Sequence, residues 1–173
     1  MNPLQYAVYK GTGGKWGAVQ FNFQPPHFYQ EKQKDFTGIN ALDEAGKMKE
    51  GWKIREGAVF LEITSTKDKN VYDWENKITI ALSVNDLGKV LFALKTGEET
   101  KIMHDPGAKS DRAGQVQKFL NVSSPNGTAQ GCMVRASMTS NGQTKSHQVP
   151  LTGDELLVLG CLVQSAISRA LGW

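Results

Sequence analysis

One strand-to-helix junction occurs twice in this sequence, and it constrains the fold more than any other feature. Ser83 and Thr152 each follow a run of β-forming residues, and each precedes an acid by three positions and a leucine by four. A hydroxyl and an acid at this spacing form a capping box, which fixes the residue where a helix begins. Because the two junctions lie 69 positions apart, the chain is predicted to contain two similar units in tandem.

Each unit is predicted to consist of four strands and one helix. The units cover about residues 4–97 and 98–173, and an antiparallel sheet of this size leaves a face that one helix covers only in part. We therefore expect the two units to complete each other's core in one domain, residues 1–173. The predicted fold class is α+β, with two packed antiparallel four-stranded sheets and two helices. A polar stretch at about 29–52 is predicted to be a long loop.

Composition excludes some classes of protein without selecting one. The net charge of +3 is mildly basic, which permits an anionic partner but does not require one. The basic excess lies entirely after residue 86. No apolar run approaches the ~18 residues that a membrane-spanning helix needs.

A search for catalytic and metal-binding motifs finds little. His104 precedes Asp105, but the Pro-Gly step that follows is typical of a turn. Cys132 and Cys161 are not in a C-x-x-C pair and have no histidine at metal-ligand spacing. The glycine-rich segment at 11–17 lacks the spacing of a phosphate loop and precedes a strand rather than a helix. We predict no enzyme activity, no metal and no cofactor, and a metabolic enzyme stays a poorly supported alternative.

Aromatic and basic residues alternate along the predicted strands and turns of the first unit. The candidate binding residues are Tyr9, Lys10, Lys15, Trp16, Phe21, Phe23, Phe60, Tyr72, Trp74 and Lys77. Aromatic rings stack on unpaired bases, and lysines neutralise phosphates. Since strand residues alternate between two faces, about half of these aromatics are expected to face the helices instead. Composition alone places nucleic-acid binding only slightly ahead of a general interaction module.

Five segments, in order from Tyr6 to Trp173, resemble the Whirly family of single-stranded DNA-binding proteins. The segments are YAVYKGTGGKWGAVQFNFQPPHF, REGAVFLEI, YDWENKITIALSVNDLG, HDPGAKSDRAGQVQKFLNV and VPLTGDELLVLGCLVQSAISRALGW. Any one of them is a weak signal, and their combination is specific. The resemblance implies two perpendicular four-stranded sheets with two helices between them, which agrees with the tandem units.

The resemblance also implies an assembly and a ligand. Family members form tetramers through their helices and bind single strands with little sequence preference, along sheet edges and between neighbouring protomers. Lys10 matches the first lysine of the family's lysine-glycine-lysine hairpin motif, whereas Thr12 stands at the second, with Lys15 nearby. The expected partners are single-stranded DNA, with RNA as an alternative, and further copies of the chain in a homotetramer. No membrane partner is expected.

We therefore expect a non-catalytic protein that binds single-stranded DNA with low sequence specificity and acts in replication, repair or recombination. The alternatives on the same fold are an RNA-binding or annealing module and a transcription regulator. A reader of duplex DNA is disfavoured because no predicted helix begins with basic residues. The sequence shows no transit-peptide pattern, so a bacterial- or phage-type member in the host cytosol, associated with the nucleoid, is expected. An organelle would require that a transit peptide had been removed.

Overall fold

The structure is a computed structural model that describes residues 4–11, 16–30, 41–111 and 113–171. The described strands are β1 (Gln5–Tyr9), β2 (Gly17–Gln24), β3 (His27–Tyr29), β4 (Lys53–Arg55), β5 (Ala58–Asp68), β6 (Val71–Tyr72), β7 (Ile78–Leu82), β8 (Thr100–His104), β9 (Val116–Ser123), β10 (Cys132–Ser140) and β11 (Gln143–Leu151). The helices are α1 (Val84–Thr96) and α2 (Gly153–Ala170), which follow β7 and β11. Each predicted unit therefore ends in its predicted helix.

The strands form two antiparallel sheets. In the first sheet β1, β2, β5 and β7 pair in that order, and the short β6 pairs with the far end of β5. The second sheet has the order β11-β10-β9-β8. The α+β prediction with two antiparallel sheets and two helices is confirmed. The first sheet differs in having the fifth strand β6, because the chain turns through a short 3-10 segment, Trp74–Asn76, before β7 begins.

The stretch predicted as a loop at 29–52 is bounded by strands. β3 and β4 pair as a small antiparallel ribbon, with Phe28 opposite Ile54. Residues 31–40 lie outside the described residues. In the rest of the stretch Ala41 and Trp52 are buried, so this segment is not a fully solvated loop. This ribbon was not predicted, because its two strands are short and far apart in the chain.

The core lies between the two sheets and contains both helices. Strand residues of alternating position point inward, including Val19, Leu61 and Ile80 from the first sheet. Leu87 and Val90 of α1 and Leu159 and Val163 of α2 are buried in the same cluster, and the two helices pack on each other. This is the mutual covering of two incomplete units that the repeat predicts. Among the described residues, neither helix has the length and hydropathy to cross a membrane.

Both helices begin at the predicted residues. At Ser83, the hydroxyl accepts from the backbone N–H of Asp86, and the Asp86 carboxylate accepts from the N–H of Ser83 at 3.1 Å. At Thr152, the backbone N–H donates to the Glu155 carboxylate at 2.8 Å. α1 ends at Gly97, whose φ of 81° is a left-handed conformation that glycine adopts without steric cost.

Each helix cap is also tied to the other unit. His104 at the end of β8 places Nε2 3.0 Å from Asp86 Oδ2 at the start of α1. Lys10, just after β1, donates Nζ to Glu155 Oε1 at 2.8 Å at the start of α2. The first strand of each unit thus ends at the helix start of the other, which is the arrangement expected of a pseudo-symmetric pair.

Candidate nucleic-acid interface

The outer face of the first sheet, which points away from the helices, carries the candidate residue Phe60. Strand alternation puts Phe60 and Glu62 of β5 on this face while Val59, Leu61 and Ile63 are buried. In the register, Phe60 lies between Asn22 of β2 and Ala81 of β7. One row further on, Glu62 lies between Gln20 and Thr79. The face therefore has an aromatic row next to a polar row.

A groove of about 550 Å³ runs over this aromatic row. It is lined by Asn22, Gln24, Pro25, His27, Arg55, Glu56, Ala58, Phe60, Glu62 and Ala81. The floor comes from the first sheet, and His27 and Arg55 come from the β3–β4 ribbon. Because Ala81 beside Phe60 is small, the aromatic ring is bordered by open space rather than by another large side chain. We name this feature the Phe60 groove.

Glu62, one of the two acids that line the groove, is neutralised within the protein, whereas the other, Glu56, is exposed. Lys77 Nζ lies 2.5 Å from Glu62 Oε1, Thr79 donates to the same oxygen at 3.3 Å, and Gln20 donates to the other oxygen. Burial on its own would raise the pKa of Glu62, but the hydrogen bonds from Lys77 and Gln20 outweigh it and hold the pKa below its usual range. Lys77, predicted to contact phosphate, is therefore committed to this carboxylate.

Arg55 differs from Lys77 in having an uncommitted charge. It is exposed at the end of β4 and borders the groove. Within the described part of the chain it forms no ion pair. Arg55 is thus the cation of the groove that is available to an anionic ligand.

A second aromatic group lies at the opposite end of the same sheet. The rings of Tyr9 and Tyr72 are 5.2 Å apart and tilted by 57°, a geometry that aromatic pairs favour. Tyr9 is exposed and Tyr72 is half-buried. Trp74 follows in the 3-10 segment and is half-buried. Tyr9, Tyr72 and Trp74 therefore lie apart from the Phe60 groove, and none of the three rings lines it.

Trp16 lies in a different cleft, between the two sheets. The cleft is lined by Trp16 and Ser65 from the first unit and by Arg135, Ser146, His147 and Gln148 from the second sheet. Trp16 is half-buried, and its carbonyl accepts hydrogen bonds from Thr66. It is thus accessible to a ligand, but it is separate from the Phe60 groove.

Three of the predicted residues are not available as predicted. Phe21 and Phe23 are buried in the core, because β2 turns its aromatic side chains inward and its polar Gln20 and Asn22 outward. Lys10 is half-buried and bonded to Glu155. It therefore links the end of β1 to the start of α2, and its charge is not free to bind phosphate. Lys15 lies outside the described residues.

Sequence reasoning missed His27, Arg55 and Asn22. The sequence does indicate that Asn22 faces solvent, because it is a polar residue between two phenylalanines on a strand. No local pattern places Arg55 and His27 in the groove, since they reach it through a ribbon whose strands are separated by more than twenty residues.

The cysteines and acids that the structure describes do not form a metal site. Within the described ranges, no group of three or more His, Cys, Asp or Glu side chains has the geometry to hold a metal ion. Burial raises the pKa of the Cys132 thiol to about 11, which keeps it protonated and a poor ligand. Cys161 is an exposed free thiol on α2.

Comparisons with known proteins bear on the family and the fold of the chain. The family model described as "Whirly transcription factor" matches residues 8–162. The single-stranded DNA-binding protein WHY2 of Arabidopsis thaliana mitochondria is 30% identical over 122 residues, 69% of this chain and 50% of that protein. The chloroplastic WHY1 of Zea mays is 26% identical over 170 residues, 97% of this chain and 56% of that protein. The chain thus spans about half the length of the curated relatives it matches.

Solved structures show the same fold. WHY1 from Arabidopsis thaliana has a TM-score of 0.78 at 24% identity, over 100% of this chain and 88% of that one. The plant transcriptional regulator PBF-2 has a TM-score of 0.76 at 25% identity, over 100% and 85%. The expected bacterial or phage origin finds no support here, because the relatives are plant proteins. With a family match over most of its length and this shared architecture, the chain belongs to the Whirly family.

Proposed function

We propose that this chain is a non-catalytic protein that binds single-stranded DNA with low sequence specificity through the Phe60 groove. The observation that carries the proposal is the placement of Phe60 on an open strand face in the same groove as Arg55, which forms no ion pair with any residue that the structure describes. A stacking ring next to a free cation is the minimal unit for holding an unpaired nucleotide. The curated relatives named as single-stranded DNA-binding proteins support the same ligand.

The groove accounts for low specificity. Every base has a face that can stack on Phe60, and the phosphate that Arg55 would neutralise is the same at every nucleotide. Duplex DNA hides its base faces, so the groove offers it only the weaker phosphate contact. Sequestering unpaired strands in this way suits a role in replication, repair or recombination.

The test compares single-stranded DNA, duplex DNA and RNA of equal length in one gel-shift series at fixed salt. We expect clear binding of the DNA single strand and weak binding of the duplex. Equal affinity for both DNA forms would refute the proposal and favour the transcription-regulator alternative. Tighter binding of RNA than of DNA would favour the RNA-binding alternative.

Two variants test the groove. Phe60→Ala removes the stacking ring and should weaken binding by about 1–3 kcal/mol without changing the salt dependence. Arg55→Gln removes one phosphate contact and should reduce the slope of log K against log salt by about 0.7. Val71→Ala and Lys89→Gln are matched controls, since both side chains are exposed and lie outside the groove. Parental binding by both groove variants would reject this site.

We also propose that the chain assembles as a homotetramer through its helices. α2 exposes Leu157, of which 70% is accessible, beside Val158, and α1 exposes Phe92. Large apolar side chains on the solvent side of packed helices mark an association surface, and closed symmetric assemblies are the usual result. Leu157→Asp should lower the mass measured by light scattering at micromolar protein, with Lys47→Gln, an exposed residue outside both helices, as the control. A monomer mass for the parent chain would refute the assembly.

The cellular location is supported only by the relatives. Their names place them in mitochondria and chloroplasts. This favours the organelle alternative over a bacterial or viral cytosol. Imaging of a fluorescent fusion of the full-length gene product in its source cell decides between the two.

A further inference from the structure

The outer face of the second sheet, which the sequence-based site left out, carries an exposed apolar pair. Met103 of β8 and Phe119 of β9 are 58% and 41% accessible, and they lie directly opposite each other in the register. Their strand neighbours Ile102 and Leu120 are buried. Met103 and Phe119 therefore point to solvent from the β8 edge of the sheet, where neighbouring side chains are otherwise polar.

The neighbouring row on the outer face of the second sheet is basic. One row away on the same face, Lys101, Asn121, Arg135 and Gln148 lie side by side across the four strands. The strands β8–β11 contain no aspartate or glutamate. The acid described beside this row is Glu99, which pairs with Lys101 at 3.2 Å and accepts from Asn121 at 2.6 Å. Arg135 remains without a direct carboxylate contact among the described residues.

Arg135 is also held in a fixed orientation. Its Nε and Nη2 donate to Gln148 Oε1 at 3.1 Å and 2.9 Å. A neutral amide orients the guanidinium without neutralising it, so the full charge stays available at the surface. A planar cation one row from an aromatic ring is the combination that holds a phosphate next to a stacked base.

Met103 of this pair is continuous with the Phe60 groove. A cleft at the junction of the two sheets is lined by Phe60 and Ala81 from the first sheet, by Met103, His104 and Lys118 from the second, and by Asp105, which follows β8. Phe60 and Ala81 belong to both the groove and this cleft. A strand lying on Phe60 can thus reach Met103 through the cleft that shares these two residues with the groove.

We propose that a single strand of DNA leaves the Phe60 groove over Met103 and stacks a further base on Phe119, with Arg135 taking its phosphate. This rests on the proposed function and deepens it, because it makes the second sheet part of the binding path. One protomer then contacts a longer segment of DNA than the first sheet alone accommodates. Met103, with its flexible and polarisable thioether, suits the passage between two stacking sites.

The experiment uses two lengths of oligothymidylate, about four and about sixteen nucleotides, the limits of site sizes for small single-strand binding folds. Phe119→Ala should weaken binding of the long oligonucleotide by about fivefold to 150-fold and leave the short one unchanged. Phe60→Ala should weaken both. Val71→Ala, an exposed side chain on the first sheet, serves as the control for truncating an apolar residue.

The outcomes separate the two proposals. Parental binding of both lengths by Phe119→Ala overturns the second-sheet site, while a weak Phe60→Ala variant still supports the groove. Parental binding by Phe60→Ala as well overturns both. Light scattering is run on each variant, and a fall in the mass of Phe119→Ala would show that the pair contacts another copy of the chain, which also overturns this proposal. Unchanged melting temperature confirms that the variants are folded.

Discussion

The two helix starts share one sequence pattern but differ in what completes them. At α1, Asp86 accepts from the Ser83 backbone, the Ser83 hydroxyl and His104, and its side chain is 11% accessible. At α2, Glu155 accepts from the Thr152 backbone and from Lys10, and its side chain is 22% accessible. Both helices begin with the same capping box. The residue from the other unit that bonds the acid of the box is His104 at α1 and Lys10 at α2.

This difference shows that a repeated capping box determines where a helix starts, but does not determine which distant side chain bonds the acid of the box. Each cap acid is bonded by the end of the other unit's first strand, so the caps connect the two units as well as ending two helices. At α1 the connection is more buried and has more hydrogen bonds. We therefore expect the α1 cap to contribute more to stability than the α2 cap.

Acidification should have the largest effect, because it removes both caps together. Burial alone would raise the pKa of Asp86, but hydrogen bonds from Ser83 and His104 outweigh it and lower the pKa. The pKa of Glu155 is lowered in the same way, against burial, by Lys10 and Thr152. A lowered pKa in the folded state stabilises above the unfolded value and is lost as the pH falls through the folded value.

The expected loss therefore begins near pH 4, roughly the ordinary carboxyl value, and is complete below the folded pKa values. Urea unfolding of the parent and of Asp86→Asn between about pH 6 and about pH 3 isolates the contribution of α1. The difference in unfolding free energy between the two proteins should shrink as the pH falls. A difference that is constant with pH would show that the charge of Asp86 does not matter.

The α1 cap is tested directly by Asp86→Ala. The change leaves the Ser83 N–H and His104 without their acceptor in a buried place, and we expect a loss of about 2 kcal/mol. For a chain of this size that corresponds to roughly 4–8 °C in melting temperature. Asp86→Asn, which keeps the shape and one acceptor, should lose less. The measurement is thermal unfolding at one protein concentration, because association shifts the transition.

The α2 cap should contribute less than the α1 cap to the free energy of unfolding, as measured by the same thermal unfolding experiment. Glu155→Ala is expected to cost about 1 kcal/mol, since a more accessible acid is replaced and water can reach the freed groups. A loss equal to that of Asp86→Ala would break the comparison and make the two caps equivalent.

These caps illustrate what the sequence could and could not predict. Ser83 and Thr152 were predicted because a capping box is local and its spacing is visible in the chain. The tie between Lys10 and Glu155 joins residues 145 positions apart, and no local pattern indicates which cation will reach which acid. Phe21 and Phe23 differ from these cases, because the polar Gln20 and Asn22 that alternate with them are a local signal that the two aromatic rings face the core. The ribbon that brings Arg55 to the groove is, like the tie between Lys10 and Glu155, a non-local pairing.

The smallest effect is expected for Lys10→Met, and it bears on binding as much as on stability. Glu155 keeps its bond from the Thr152 N–H, so removing one partly exposed ion pair should cost only about 0.2–1 kcal/mol. Because Lys10 is committed to Glu155, its loss should leave the salt dependence of DNA binding unchanged. Arg55→Gln, measured beside it, should reduce the slope by about 0.7.

An equal reduction of the salt slope in Lys10→Met would mean that Lys10 leaves Glu155 when DNA binds, and that the α2 cap is released by the ligand. In that case Glu155→Ala, which frees Lys10 in advance, should bind more tightly than the parent, and the two caps would differ in function as well as in strength.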